Sequence, residues 1–461
     1  MKTERSIHLQ TENQKTLPAS PEAIGNEIKD PYKSSRILYI IEAALEFFVA
    51  ILVGETYLAK VAMTIGISQS GIGVLSAFVS LGYAFQIFAI FLSQKNGVKR
   101  RTIWLGLLNQ LLFSFIYIVP LLPSDFALRI PMFVGTLLLA QIVMNIIQPG
   151  KINWYMSLVP DKKRGVFTAN KEIVSLLSGM VVTLVMGRVI DTYEEKGEIK
   201  TAFILIGITL LVLTVLHTLT LVFSKEKPVD ETAAKADTKE ILISLFKNKT
   251  LYRIIGVSVI WAIINYSTSP FYATYRIGIL GFSMTFDAIL SMASSLTRAA
   301  ISRTMGRFAD KYSFKKLLML CYSIKVLAFT CAMLSIPENG KVLFAFYTIL
   351  TAIAMAGINS SETNLIYDYV EPSQRTGALA IKYMISGIVG FLTTLIMTIP
   401  MEFIEKNGNE LFGISMYPQQ FTSAIGVIGV ILLLLYVKFV VKDKKSDTLQ
   451  EKDSPASASE S

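Results

Sequence analysis

Apolar stretches of about twenty residues alternate with short polar turns along nearly the whole chain. They fall at 37–59, 71–92, 102–122, 130–149, 166–189, 202–223, 254–275, 284–305, 315–336, 342–362, 376–400 and 421–441. A helix of that length crosses a bilayer core of about 30 Å, so the pattern predicts twelve transmembrane helices and an all-α membrane protein. Three polar segments remain. Residues 1–33 have no apolar core ahead of a small-residue cleavage site, so they read as an unstructured tail and not a cleaved signal. Residues 224–253 separate six spans from six, and 443–461 form a low-complexity tail. The expected organisation is therefore a six-helix bundle at 34–223, a linker at 224–253 and a second six-helix bundle at 254–442. In the linker, Ile241, Leu242, Leu245 and Phe246 share one helical face among lysines, which suits a helix on the membrane surface as well as a plain solvated connection.

The two halves repeat. At an ungapped offset of 215, Tyr57 meets Tyr272, Gly66 meets Gly281, Ser68 meets Ser283, and Arg100-Arg101 meets Lys315-Lys316. At 212, Tyr155 meets Tyr367, Pro160 meets Pro372 and Gly165 meets Gly377. Matched turn residues weigh more than matched apolar ones, which recur by chance. Two six-span halves in the same orientation make a parallel repeat, and such chains bind their solute between the halves near the midplane.

Composition and charge sharpen this picture. The 461 residues are 52% hydrophobic and 17% charged, and their mean hydropathy of +0.52 excludes an ordinary soluble protein. Lys and Arg number 44 against 34 Asp and Glu, and the surplus falls in alternate loops. One set holds Lys95, Lys99, Arg100 and Arg101, then Lys162, Lys163 and Arg164, the linker, and Arg303 through Lys316; the other set has mostly single basic residues such as Lys60, Arg129 and Arg276. This bias places both termini in the cytoplasm, and short loops suit a multi-pass protein of the plasma membrane. The basic excess reports topology and not a nucleic-acid partner. Cys321 and Cys331 lie ten apart in one span on opposite helix faces, which suggests neither a disulfide nor a metal pair.

The loop after the eighth span reads Gly306-Arg-Phe-Ala-Asp310-Lys311-Tyr-Ser-Phe-Lys315-Lys316. It resembles the Gly-x-x-x-Asp-(Arg/Lys)-x-Gly-x-(Arg/Lys) signature of the major facilitator superfamily, the twelve-span secondary transporters built from two six-helix bundles. Gly306, Asp310, Lys311 and Lys315 match, whereas Ser313 and Phe314 depart from the pattern. The resemblance implies alternating access, with Asp310 latching the inner side shut and Gly306 letting two helices approach closely. In the first half the acid is replaced by Gln94 or Lys95 and the leading glycine is lost. Arg164-Gly165 and Arg375-Thr-Gly377, at the starts of the fifth and eleventh spans, also match superfamily usage. The fifth span lacks the Gly-Pro pair of drug/proton antiporters, and Glu42-x-x-x-Glu46-Phe-Phe lacks the arginine of the peptide-transporter motif it superficially resembles.

Charges inside spans mark pathways or coupling sites. Glu46, near the centre of the first span and one turn above Glu42, is the first candidate for a carboxylate that binds a proton or a substrate amine, against a structural pair with a buried cation. Arg298 is placed to pair with an acid or hold an anionic substrate, and Lys325, on a span the resemblance puts at the periphery, to snorkel. Lys171, Glu172, Glu362 and Lys382 form an expected polar belt near the inner face, where a gating salt bridge competes with plain interfacial placement. Gln141 and Asn145, Trp261 and Asn265, and Asn359 are the polar and aromatic set expected along the cavity, since the resemblance makes spans one, four, seven and ten its core; helix-to-helix hydrogen bonds are the competing role. His217, the one intramembrane histidine, reads as a satisfied structural residue. The expectation is a monomeric secondary active transporter of a small-molecule substrate, driven by a proton or sodium gradient or by the substrate's own, without a cofactor. No phosphate-cradling loop and no His-Glu-x-x-His motif points to ATP use or an enzyme. A lipid flippase or a non-transporting sensor is the alternative on the same scaffold.

Overall fold

The computed structural model describes residues 30–86, 98–160, 164–227, 249–370 and 375–441. The described helices fall into twelve successive passages. The first passage is α1 (Lys33–Leu52) and α2 (Glu55–Thr64), and the second is α3 (Gln69–Ser76) and α4 (Phe78–Ala84). Then come α5 (Val98–Phe115), α6 (Arg129–Ser157), α7 (Arg164–Glu195) and α8 (Ile199–Phe223). The second half has α9 (Lys249–Tyr266) with α10 (Ser269–Thr274), α11 (Met284–Lys311), α12 (Phe314–Met333), α13 (Gly340–Tyr369), α14 (Arg375–Lys406) and α15 (Pro418–Val440). Among the described residues nine helices are long and apolar enough to cross a membrane, ten with the bent pair α1–α2. The remaining two fall short for visible reasons: the second passage runs into residues 87–97, outside the described set, and α11 carries Asp287, Arg298, Arg303 and Arg307.

The first and seventh passages are both broken. Between α1 and α2 the axis bends by 40°, and a Cβ on Gly54 would stand 2.7 Å from the Ala50 carbonyl oxygen, so only glycine fits there. The break frees the Leu52 carbonyl, which accepts the Tyr117 hydroxyl. In the seventh passage the break falls at Thr268, and Pro270 opens α10, where its missing N–H costs nothing. The turns that follow match residue for residue. Gly66 (φ 86°) and Gly281 (φ 65°) take the left-handed conformation, and Ser68 and Ser283 then cap the next helices, accepting from Gly71 N at 3.2 Å and Phe286 N at 3.1 Å. The sequence repeat is thus a repeat of turn chemistry.

Each half has its own apolar core. One joins residues from Leu251 to Val441; the other joins Leu45 to Leu213 and takes in Ala273 and Met284 from the second half. Side-chain bonds between the halves cluster at the end far from the termini. There Arg276 donates to Thr56 (2.8 Å) and Glu55 (3.3 Å) of the first half and forms an ion pair with Asp287 of its own half (2.9 Å), and Thr56 donates to Asp287 at 2.6 Å. The Asp191 carboxylate accepts from the backbone amides of Met284 and Thr285, both at 2.8 Å, at the N-terminus of α11. Ser70 donates to Glu402 at 3.0 Å and Gln419 to Gln69 at 2.8 Å.

Candidate functional site

On the termini side of this seal lies a cavity of about 450 Å³ between the halves. Its walls are the first half of the seventh passage (Ser258, Trp261, Asn265, Tyr266), the tenth (Met355, Asn359, Glu362, Thr363) and the start of the eleventh (Lys382, Tyr383, Ser386, Gly387), with Tyr83 from the second passage. Trp261, Asn265, Asn359, Glu362 and Lys382, read from the sequence as cavity or belt residues, meet here. Glu362 Oε2 accepts from Lys382 Nζ at 2.8 Å and from Ser258 Oγ at 3.0 Å, while Tyr322 donates to Oε1 at 3.3 Å. Both charged residues are 6% exposed, so desolvation is heavy, and only this set of close contacts offsets it. Trp261 and Tyr322 tilt together at 5.6 Å. The wall offers flat aromatic faces, amides and one ion pair, the lining expected where a small polar ring is held by stacking and hydrogen bonds. Lys171 does not join this pair: its ammonium lies over the Tyr39 ring in the other half, at 5.1 Å.

A second charged cluster fills the first half. Lys151 Nζ donates to Glu42 Oε1 at 2.8 Å and Glu46 Oε2 at 2.6 Å, Gln148 donates to Glu46 Oε1 at 2.7 Å, and His217 Nε2 lies 3.0 Å from Glu42 Oε1. Glu42 is fully buried, and the Glu46 side chain is 21% exposed. Glu42 Oε2, His217 Nδ1 and Gln110 Oε1 have no hydrogen-bond partner among the described residues. Next to them is a void of about 10 Å³, the size of one water, lined by Glu46, Asn109, Gln110, Lys151 and His217. Glu42, Glu46 and His217 offer metal-type donor atoms within 4.8 Å of one another. The Lys151 ammonium already bridges the two carboxylates, so the chain supplies its own cation and the set does not fit a resident metal. Sequence reading missed Lys151 because the fourth apolar block ends at 149, whereas α6 continues past Pro149 to Ser157. The signal was the demand of Glu42 and Glu46 for a buried cation on a neighbouring span.

Other expected residues sit elsewhere. Asn145 donates to the Gln141 carbonyl at 2.9 Å and accepts from Gln86 at 3.0 Å, tying the fourth passage to the second behind the cavity wall. Arg298 is exposed and forms no ion pair among the described residues. Gly306 was expected to permit a close helix approach, yet a Cβ there would meet nothing within 4 Å among the described residues: this face of α11 is open, while Met305 and Ala309 on its other side are buried in the second half's core. Lys311 lies over the Tyr312 ring at 5.2 Å, and Lys315 donates to the Lys438 carbonyl at 3.1 Å. The side chains of Arg164, Asp310 and Arg375 lie outside the described residues, as do Gln94, Lys95 and most of the amphipathic linker segment. Lys325 does not snorkel: it is 1% exposed inside the second half, because α12 turns this face toward α9 and α13 and not toward lipid.

Comparison with known proteins agrees with this architecture. The sequence matches the family model "Major Facilitator Superfamily" over residues 37–304 and again over 279–460. A search of curated proteins finds no match. Among solved structures, the nucleoside transporter NupG superposes with a TM-score of 0.65 at 14% identity, covering 88% of this chain and 99% of that one. The inward-open xylose transporter XylE from E. coli gives 0.63 at 14% identity, covering 91% and 98%. A bacterial homologue of the human lysosomal transporter Spinster, inward-facing and occupied, gives 0.62 at 14%, covering 92% and 99%. With the family model spanning nearly the whole chain and two helical bundles closing on a central cavity, the chain belongs to the Major Facilitator Superfamily, as a multi-pass secondary transporter.

Proposed function

We propose that this protein moves a small polar, ring-bearing solute through the cavity between its halves, coupled to protonation in the Glu42–Glu46–Lys151–His217 cluster. The observation that carries this reading is the cavity itself, walled by Trp261, Asn265, Asn359 and the Glu362–Lys382 pair and shut at its far end by the Arg276–Asp287–Thr56 network. The solute stacks on aromatic faces and bonds the amides, and Lys382 is the gating partner that exchanges Glu362 for the solute. NupG is named a nucleoside transporter, and another similar structure a D-xylose-proton symporter, which favours a hydroxyl-rich ring and a proton as the co-transported ion. Basic loops put both termini in the cytoplasm of a plasma-membrane protein acting as a monomer, and the structure then represents a state open to the cytoplasm. The test is uptake of labelled nucleosides, pentoses and hexoses into proteoliposomes under an imposed pH gradient. Uptake that collapses with the gradient is expected. Movement of labelled lipid with no solute uptake would replace the proposal by a flippase.

A further inference from the structure

Lys325 sits near the middle of α12 with its ammonium enclosed by aromatic rings: Phe329 at 4.1 Å, Tyr347 at 5.2 Å and Trp261 at 5.6 Å from centroid to Nζ. Its one hydrogen-bond acceptor among the described residues is Thr351 Oγ1, at 3.1 Å. An ammonium has three N–H donors, and a lysine at this depth ordinarily pairs with a carboxylate. None does so among the described residues. Among the described residues, the titratable and charged groups facing it belong to the cage, are committed to other partners or are exposed; Tyr272 of α10, against the Tyr347 ring at 5.0 Å, is bonded to Ser423. On α13, Tyr347 belongs to the cage and Glu362 is committed to Lys382, Ser258 and Tyr322. On α12 itself Tyr322, three residues earlier, gives its hydroxyl to Glu362. On α15, Tyr436 donates to the Arg253 carbonyl, and Lys438 lies near the termini end, where its carbonyl receives Lys315. On α11, Asp287 belongs to the far seal, while Arg298, Arg303 and Arg307 are exposed. On α9, the ring over Nζ is Trp261, and Trp261 is also a wall of the central cavity. A single indole therefore separates an uncompensated cation from the transport path.

We infer that Lys325 is a proton-exchange site of the second half, opened and closed by Trp261. When the indole lies on the cage, ring faces and Thr351 are all that hold the ammonium, and no water is in reach to carry its proton. When it swings into the cavity, Lys325 meets cavity water and exchange opens in both directions: ammonium and water give amine and hydronium, and amine and hydronium give ammonium and water, with hydration favouring the ammonium. Occupancy of the cavity, which presses on Trp261, thereby sets when the second half changes charge. The inference rests on the transport reading for its purpose, but its test needs no solute.

Intrinsic tryptophan emission of the purified protein is followed between about pH 5 and pH 11, a span that runs from where documented buried lysines titrate to just above the ordinary lysine value of about 10.4. A pH-dependent component is expected in the unmodified protein and lost in both Trp261→Phe and Lys325→Met. Lys325→Arg, which keeps a fixed cation, is expected to hold emission at its acid value throughout, and serves if the methionine variant does not fold. A flat profile in the unmodified protein, or the same transition persisting in Lys325→Met or Lys325→Arg, overturns the inference. Absence of uptake in the proteoliposome assay bears on the solute and leaves this result standing.

Discussion

Lys151 is the residue on which the first half's charge balance turns. It is the one side chain that bridges Glu42 and Glu46, and it is 3% exposed. Removing one partner of a buried ion pair strands the other charge at a cost of about 3–5 kcal/mol. Lys151→Met is therefore expected to lower the thermal midpoint of the detergent-solubilised protein well below that of Glu46→Gln, which still leaves Lys151 its bond to Glu42. A melt that leaves the two variants level would remove Lys151 as keystone. In transport, Glu46→Gln is expected to flatten the pH dependence of uptake, and an unchanged profile would exclude this carboxylate from coupling. At this scale the sequence marked Glu46 as a charge inside an apolar block that needs a cation or a proton, and Lys151 lies against it. The sequence was illegible where a charge lay just beyond a block's edge, as with Lys151. It misled for Lys325, because helix position alone does not say which face meets protein and which meets lipid.

Broken and capped helices supply the moving parts. The Gly54 bend and the Thr268–Pro270 break stand at matching places in the repeat, and each lies close to the Arg276–Asp287–Thr56–Glu55 contact between the halves. Arg276→Ala removes the donor shared by Glu55 and Thr56 and the cation paired with Asp287, and the expected outcome is a shift toward the state open at the far end. Spin labels placed on the turns at residues 66 and 281 would read it as a longer distance; no change would mean that packing and not charge holds the seal. On the opposite face lies the loop in which the resemblance makes Asp310 a latch. Asp310→Asn is expected to slow uptake several-fold with insertion unchanged, and normal uptake would end the latch assignment. Matched turns were readable because Gly66, Gly281, Ser68 and Ser283 each answer a local backbone demand. The breaks were not, since apolar periodicity runs straight through a bent span.

For the whole molecule, the twelve-block pattern carried the architecture because lipid imposes length and polarity on every span alike. The exception is instructive: α11 is too polar to be counted a span by composition, yet it packs between α7 and α13 as a membrane passage. Interior helices answer to their protein neighbours, so a hydropathy criterion undercounts them. The cavity was legible as a set of residues, while its ion pair, the bridging lysine and the caged lysine needed three dimensions, since each joins positions on different spans.

The grip of Asp191 on the start of α11 has an asymmetry worth following through. Its two bonds go to the main chain of Met284 and Thr285, so every side-chain replacement at 284 or 285 except proline leaves the donors in place. A change at Asp191 removes both bonds at once. Authority over that clasp is lopsided: the first half can release it by almost any substitution at one position, the second only by introducing proline. In laboratory evolution of this protein for faster cycling, replacements at Asp191 should therefore arise without compensating changes across the interface.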